Sequence, residues 1–149
     1  MENTQLSNHF QLSEFLNLSK YPDNIPSHSA IENLKRLCGW LEMLRSEWNS
    51  RYGDGDDPII INSGYRSAQV NKAVGGVATS NHLTGCAVDI RVLGMEQLLR
   101  YAVILLDISD ESQEDFDELL IERNAKGTYW LHFAVRPEGN RRKIRLIAC

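Results

Sequence analysis

Apolar residues recur at steps of three and four between about residues 29 and 51, which predicts a long helix with one buried face. This face consists of Ile31, Leu34, Leu37, Cys38, Leu41, Leu44 and Trp48. Gly39 costs about 1 kcal/mol relative to Ala inside a helix, so we expect it to pack closely against a neighbouring element. Residues 95–106 predict a second, mostly buried helix, which an acidic exit loop over residues 107–117 follows.

Alternating and β-branched runs predict strands over residues 59–62, 116–122, 129–135 and 143–147, the last at a sheet edge. Gly127 lies in the loop that joins the second and third of these runs, and it favours a hairpin there. Ser67 is expected to cap a short helix over residues 68–74, and Ser13 to cap a helix start near Phe15. Helices that precede and interrupt a small set of strands favour an α+β fold.

The composition bounds the class of protein. A chain of 149 residues is long enough for a core of its own, so we expect a single domain over residues 1–149. The net charge is −4, and the one short basic run is Arg141-Arg142-Lys143, which argues against nucleic-acid binding. Three cysteines without a CxxC pair, Cys38, Cys86 and Cys149, favour reduced thiols.

The N-terminal sequence and the apolar runs bear on location. Residues 1–5 contain neither a basic start nor an apolar segment, and no apolar run is long enough to span a bilayer. We therefore expect no membrane insertion and synthesis in the cytoplasm. The acidic, glycine-spaced segment 53–58 is expected to be a turn, because it lacks the remaining ligands of a calcium loop.

Candidate chemistry centres on His82 and Asp89, which lie seven positions apart on either side of Gly85. An imidazole before a glycine turn and a carboxylate in the following strand can converge on one metal ion, and His132 could complete a His/Asp/His set with one position open for water. The alternative for a histidine in an apolar strand is an ordinary hydrogen-bonded residue. Asp89 would cost several kcal/mol if it were buried without a cation or strong donors.

These motifs together resemble the zinc D-Ala-D-Ala carboxypeptidase family, which includes small peptidoglycan peptidases of phage and bacteria and shares its fold with the hedgehog signalling domain. The resemblance covers nearly all of the chain. It is carried by Phe10-x-Leu12-Ser13-Glu14-Phe15, Ser63-Gly64-Tyr65-Arg66-Ser67, Asn71, Val74-Gly75-Gly76, Ser80-x-His82-x-x-Gly85-x-Ala87-x-Asp89 and Trp130-x-His132.

The resemblance implies an α+β domain with a small antiparallel sheet and flanking helices, a Zn²⁺ cofactor, and hydrolysis of peptide bonds in peptidoglycan stem peptides or cross-links. The enzyme would be of the endolysin or carboxypeptidase type, would act as a monomer and would reach the cell wall after release from the cytoplasm. The alternative is a catalytically silent zinc-binding domain of the same fold, acting as a structural or binding component.

The resemblance also implies roles for individual residues. The zinc ligands would be His82, Asp89 and His132. Arg66 would hold the substrate and stabilise the developing oxyanion, while Ser80 and Tyr65 would contact the substrate.

The general base is expected to be Glu122. Some family members carry the acid three residues before the last histidine, where this chain has Tyr129. An antiparallel hairpin can bring the Glu122 carboxylate beside His132, and the alternation puts Glu122 on the strand face of Glu118. Asp117, on the other face, is the fallback for this role. The alternative for Glu122 is an ion pair with Arg123 or Lys126 at a solvated loop.

Overall fold

The structure, a computed structural model, describes residues 4–148. The expectations for the first three residues and for Cys149 lie outside the described residues. The helices are α1 (His28–Arg51), α2 (Ala68–Ala73) and α3 (Met95–Ser112), with short 3-10 helices at Leu12–Phe15 and Asn81–Thr84. The strands are β1 (Ile61–Ser63), β2 (Ala87–Arg91), β3 (Glu118–Arg123), β4 (Tyr129–Ala134) and β5 (Lys143–Ala148). The predicted α+β class is confirmed.

Within these residues five strands form one sheet in the order β1-β2-β4-β3-β5. The pairs β1/β2, β2/β4 and β4/β3 are antiparallel, whereas β3 and β5 run parallel. The sheet is therefore mostly, rather than wholly, antiparallel. The last residue of β4, Ala134, lies opposite the first residue of β3, Glu118. The chain turns into β5 at this end of the sheet, so β5 runs in the same direction as β3. Backbone N–H groups of Arg142 and Lys143 fix this crossing by donating to the carbonyls of Phe116 and Asp117.

The two faces of the sheet have different roles. Alternate residues of the central strands, including Val88, Ile90, Leu131 and Phe133, belong to the same buried cluster as the leucines of α1 and the inner face of α3. Trp40 of α1 contacts Phe133 with ring centroids 5.4 Å apart, which anchors the long helix to β4. The residues that alternate with this core, among them Asp89 and His132, project to the opposite face and carry the polar groups.

Most predicted elements are present with shifted ends. The Ser67 cap of α2 is confirmed, since its hydroxyl accepts from the Val70 N–H at 3.2 Å. The predicted exit loop after residue 106 is wrong, because α3 continues to Ser112. Its acidic residues lie on the helix surface, where Asp107 pairs with Arg51 at 3.0 Å. The first strand is β1 at Ile61–Ser63 rather than residues 59–62.

Two local expectations are also wrong. A Cβ added at Gly39 would meet no atom within 4 Å among the described residues, so close packing does not explain this glycine. Ser13 lies inside the first 3-10 helix instead of capping it, and the backbone N–H of Gln11 is bound by the Glu14 carboxylate at 2.6 Å.

Cys38 and Cys86 are buried free thiols, as expected, and burial raises the pKa of Cys38 to about 12. Between residues 4 and 148, no helix combines the length and apolar character needed to cross a bilayer.

Candidate metal centre

Asp89 and His132 meet because they are directly opposite each other on β2 and β4. Side chains of opposite residues in an antiparallel pair share one face of the sheet and lie within contact distance. The Asp89 Oδ1 atom is 3.1 Å from the His132 Nδ1 atom, and both residues are buried. Strand register therefore brings Asp89 and His132 together without any loop.

His82 reaches the same point from the 3-10 helix at Asn81–Thr84. The Ser80 hydroxyl caps this helix by accepting from the His82 N–H at 3.1 Å. Gly85 ends it with a φ of 75°, and an added Cβ would lie 2.5 Å from the Ala30 carbonyl oxygen, so only glycine fits. The His82 Nε2 atom lies 3.3 Å from Asp89 Oδ1.

The potential ligand atoms of His82, Asp89 and His132 all lie within 4.8 Å of one another. The orientation of each imidazole ring is fixed by a hydrogen bond from the nitrogen that faces away from Asp89. His82 Nδ1 donates to the Gly64 carbonyl at 2.6 Å, and His132 Nε2 donates to Glu118 Oε1 at 2.9 Å. With these bonds in place, His82 Nε2 and His132 Nδ1 are the ring nitrogens that face the Asp89 carboxylate. Two imidazole nitrogens and a carboxylate oxygen, each ring oriented by an outer acceptor, fit a Zn²⁺ site.

The ionisable groups of the cluster shift one another's pKa values. Burial disfavours the Asp89 carboxylate, but His82 and then His132 outweigh it and hold the Asp89 pKa below its usual range. Burial likewise disfavours a charged His132, but hydrogen bonds with Asp89 and Glu118 raise its pKa to about 10. Arg66 adds a further positive charge, since its Nη2 donates to Asp89 Oδ2 at 3.1 Å.

Glu122 lies on the same sheet face as the cluster, two positions along β3 from Leu120, which is opposite His132. Its carboxylate accepts a 2.6 Å hydrogen bond from the Trp130 indole N–H. Burial, with the nearby charge of Asp89, raises the pKa of Glu122. The alternative for Glu122, an ion pair with Arg123 or Lys126, is not among the ion pairs of the described residues.

Asp117 is in a different environment. Its side chain is fully buried and forms ion pairs with Arg141 at 2.8 Å and Arg136 at 3.2 Å. Burial opposes its charge, but hydrogen bonds from Arg141 and then Asn81 lower the pKa of Asp117 to about 2. These contacts account for Asp117 as a structural anchor of the strand, which weakens it as a candidate base.

Of the expected substrate-contacting residues, Arg66 contacts Asp89 of the cluster through its side chain. Arg66 follows β1, its backbone N–H donates to the His82 carbonyl at 3.0 Å, and its Nε donates to the Ser63 hydroxyl at 3.1 Å. Ser80 has a visible role as the cap described above. Tyr65 packs partly against the core, and its carbonyl accepts from Asn24 Nδ2 at 2.9 Å.

Sequence reasoning missed Asn81 and gave Glu118 no role. The Asn81 amide donates to Glu118 Oε1 at 2.7 Å and to Asp117 Oδ2 at 2.8 Å, while its carbonyl oxygen accepts from Arg136 at 2.9 Å. This network joins the helix that carries His82 to the strand that orients His132. The alternation of β3 could have identified Glu118, because it places this residue on the same face as Glu122. Nothing in the sequence pattern around Asn81 distinguishes it from a surface residue.

Residues 8–106, about two thirds of the chain, match the peptidase M15 family. The chain belongs to the peptidase M15 family. A segment of 40 residues is 45% identical to the zinc D-Ala-D-Ala carboxypeptidase of Streptomyces albus G, and it covers 27% of this chain and 16% of that protein. The peptidase M15 match includes Arg66, His82 and Asp89. Glu122 and His132 lie beyond its last residue, so their relation to the cluster rests on the geometry.

Proposed function

We propose that this chain is a zinc-dependent peptidase that hydrolyses peptide bonds in peptidoglycan stem peptides or cross-links, of the endolysin or carboxypeptidase type. The observation that carries the proposal is the convergence of the potential ligand atoms of His82, Asp89 and His132 within 4.8 Å, with the half-buried Glu122 on the same sheet face. Membership of the peptidase M15 family and the zinc named for the Streptomyces relative support it.

The zinc ligands in this proposal are His82 Nε2, Asp89 and His132 Nδ1. Three protein ligands leave a fourth position for water or substrate, which is typical of catalytic rather than structural zinc. When bound, zinc supplies a water of lowered pKa and polarises the scissile carbonyl. The protein contributes two pre-oriented imidazoles, because Gly64 and Glu118 hold the far nitrogen of each ring.

Glu122 acts as the general base. It accepts a proton from the attacking water and returns it to the leaving amine nitrogen, a role that contributes typically 10²–10⁴-fold in rate. Its raised pKa, which burial causes, makes it a better proton acceptor than an exposed glutamate. The Trp130 indole N–H binds Oε2, and this orients the carboxylate.

Arg66 stabilises the negative charge that develops on the carbonyl oxygen. Its side chain is 16% exposed, and its contacts with Ser63 and Asp89 hold the guanidinium beside the metal ligands before substrate arrives. Pre-oriented positive charge in a partly dry site is an effective way to stabilise an oxyanion. Ser80 and Tyr65 line the approach to this group in the proposal.

The test combines metal analysis with cell-wall turnover. We expect wild-type protein to bind one zinc per chain and to release new amino groups from purified sacculi. His82→Ala, Asp89→Ala and His132→Ala should each lose the bound zinc and the activity, because a three-ligand site rarely survives the loss of one ligand. His28→Ala is the matched control, since His28 is 90% exposed on α1 and is outside the cluster.

The outcomes separate the alternatives. If a ligand variant keeps one tightly bound zinc, that residue is not a ligand. If wild-type protein binds one zinc but releases no amino groups where a related enzyme does, the chain is a silent zinc-binding domain instead. Mass spectrometry of the released muropeptides identifies the bond that is cleaved.

A further inference from the structure

A cavity of about 180 Å³ opens beside Arg66. The segment after the first 3-10 helix, the end of β1 and helix α2 form its walls. A water molecule occupies about 30 Å³ in the liquid, so the cavity holds a group the size of one small amino-acid residue. Arg66 connects the cavity to the cluster, because its guanidinium also contacts Asp89 at 3.1 Å.

The charge of the cavity differs from that of the chain. The charged residues among the described ones that line it are Lys20 and Arg66, and neither Asp nor Glu lines it. The whole chain, by contrast, carries 20 acidic and 16 basic residues. A concave site with cations and no carboxylates favours an anionic group.

Buried hydrogen bonds hold the walls in place. Asn24 is 1% exposed, and its amide donates to the Leu16 carbonyl at 2.8 Å and to the Tyr65 carbonyl at 2.9 Å. Its side-chain oxygen accepts from the Ser67 N–H at 2.8 Å. One buried side chain thus joins the segment that carries Lys20 to the segment that carries Arg66.

Two backbone features shape the same walls. A Cβ at Gly64 would lie 2.7 Å from the Phe15 Cβ, so glycine permits the 3-10 helix to touch the end of β1. Asn17 adopts a left-handed φ of 49°, and its carbonyl accepts from the N–H groups of Lys20 and Tyr21 at 3.2 and 2.9 Å. This turn places Lys20 at the rim of the cavity.

We propose that this cavity is a substrate subsite that binds a carboxylate of the peptide, with the Lys20 ammonium as its main contact. The inference rests on the proposed peptidase function and names a specificity determinant for it. Substrates of the proposed class offer two sources of this group, the free C-terminus of a stem peptide and the side chain or α-carboxylate of a D-Glu residue. Because Arg66 adjoins both the cavity and the metal cluster, the bound carboxylate belongs to a residue close to the scissile bond.

The test uses three synthetic stem peptides on the full zinc-loaded chain. One has all carboxylates free, the second has a C-terminal carboxamide, and the third has the D-Glu carboxylate converted to its amide. Lys20→Met should raise KM for the free peptide about three- to tenfold, which is the contribution expected from a partly exposed charge pair. The kcat should be nearly unchanged. One amidated peptide should show no further loss in this variant, and that peptide identifies the source of the carboxylate.

Matched variants control for charge and folding. Lys20→Arg keeps the positive charge and should keep the preference for the free peptide. Lys35→Met removes the same charge from an exposed position of α1, where Lys35 pairs with Glu32, and should leave all three KM values unchanged.

Two results would overturn the subsite. One is an equal effect of Lys20→Met on all three peptides, and the other is no effect on any of them. If wild-type protein cleaves none of the peptides, the peptidase proposal fails for this substrate class and calorimetric binding of the same peptides replaces KM. A Lys20-dependent preference for the carboxylate would then support the subsite without the enzyme, and its absence would reject both.

Discussion

Glu118 and Glu122 lie four residues apart on β3 and face the same side of the sheet, but their surroundings differ. Glu118 accepts from the His132 ring at 2.9 Å and from the Asn81 amide at 2.7 Å, whereas Glu122 accepts from the Trp130 indole at 2.6 Å. Burial disfavours the charged form of both carboxyl groups. For Glu118 the hydrogen bond and charge of His132 outweigh burial and lower the pKa, whereas for Glu122 burial and the charge of Asp89 raise the pKa. The surroundings of the two side chains, and not their strand positions, therefore shift the two pKa values in opposite directions.

The most informative substitution is Glu122→Gln, which preserves the shape of the side chain but removes the proposed general base. We expect kcat to fall by at least about a hundredfold, since general-base catalysis contributes typically 10²–10⁴-fold. Zinc content should stay at one per chain, because Glu122 is not a proposed ligand. Single-turnover hydrolysis and metal analysis measure the two effects.

Glu118→Gln is the matched variant for that experiment. The glutamine Oε1 can still accept from His132 and Asn81, so we expect changes of only a few-fold in activity and zinc affinity. Near-normal turnover of Glu122→Gln with zinc bound would remove the base role from Glu122. A large loss in Glu118→Gln instead would transfer that role to Glu118.

Glu118→Leu tests whether Glu118 orients the His132 ring. Leucine leaves the His132 Nε2–H without its acceptor, and loss of such an outer partner typically lowers metal affinity about 10- to 100-fold. Competition with a chelator measures the zinc dissociation constant. Saturating zinc should restore most of the activity of this variant but none to Glu122→Gln. Unchanged zinc affinity in Glu118→Leu would contradict the positioning role.

The sequence predicted the elements whose pattern is local. The helical period of α1 and the alternation of the β3/β4 hairpin depend on near neighbours, so both appear at nearly the predicted positions. Residues 107–112 of α3 were missed because their acidic surface resembles a loop. Asp107 is helical there and pairs with Arg51, a residue 56 positions away. The parallel β3/β5 pair also depends on a crossing that no local pattern encodes.

The candidate site was predicted in composition but not in geometry. His82, Asp89 and His132 come together as expected, and their role as zinc ligands stays a prediction. The ring nitrogens that face Asp89 could not be predicted, because they depend on the Gly64 carbonyl and on Glu118. The alternation of β3 places Glu118 and Glu122 on the same face and does not distinguish between them. Their hydrogen-bond partners, which lie on other segments of the chain, distinguish them.

The smallest expected effect is a displaced pH profile in Trp130→Phe. The indole N–H stabilises the charged form of Glu122, so its removal should raise the pKa of that carboxyl further above the ordinary value. The base must be deprotonated to act, so activity on the acid side should be lost at a higher pH than in wild-type protein, with the plateau nearly unchanged. Trp48→Phe is the matched control, since it removes an indole bond to Asp57 of 3.1 Å. An acid limb that stays in place, or moves to lower pH, in Trp130→Phe would show that the indole does not tune the catalytic base.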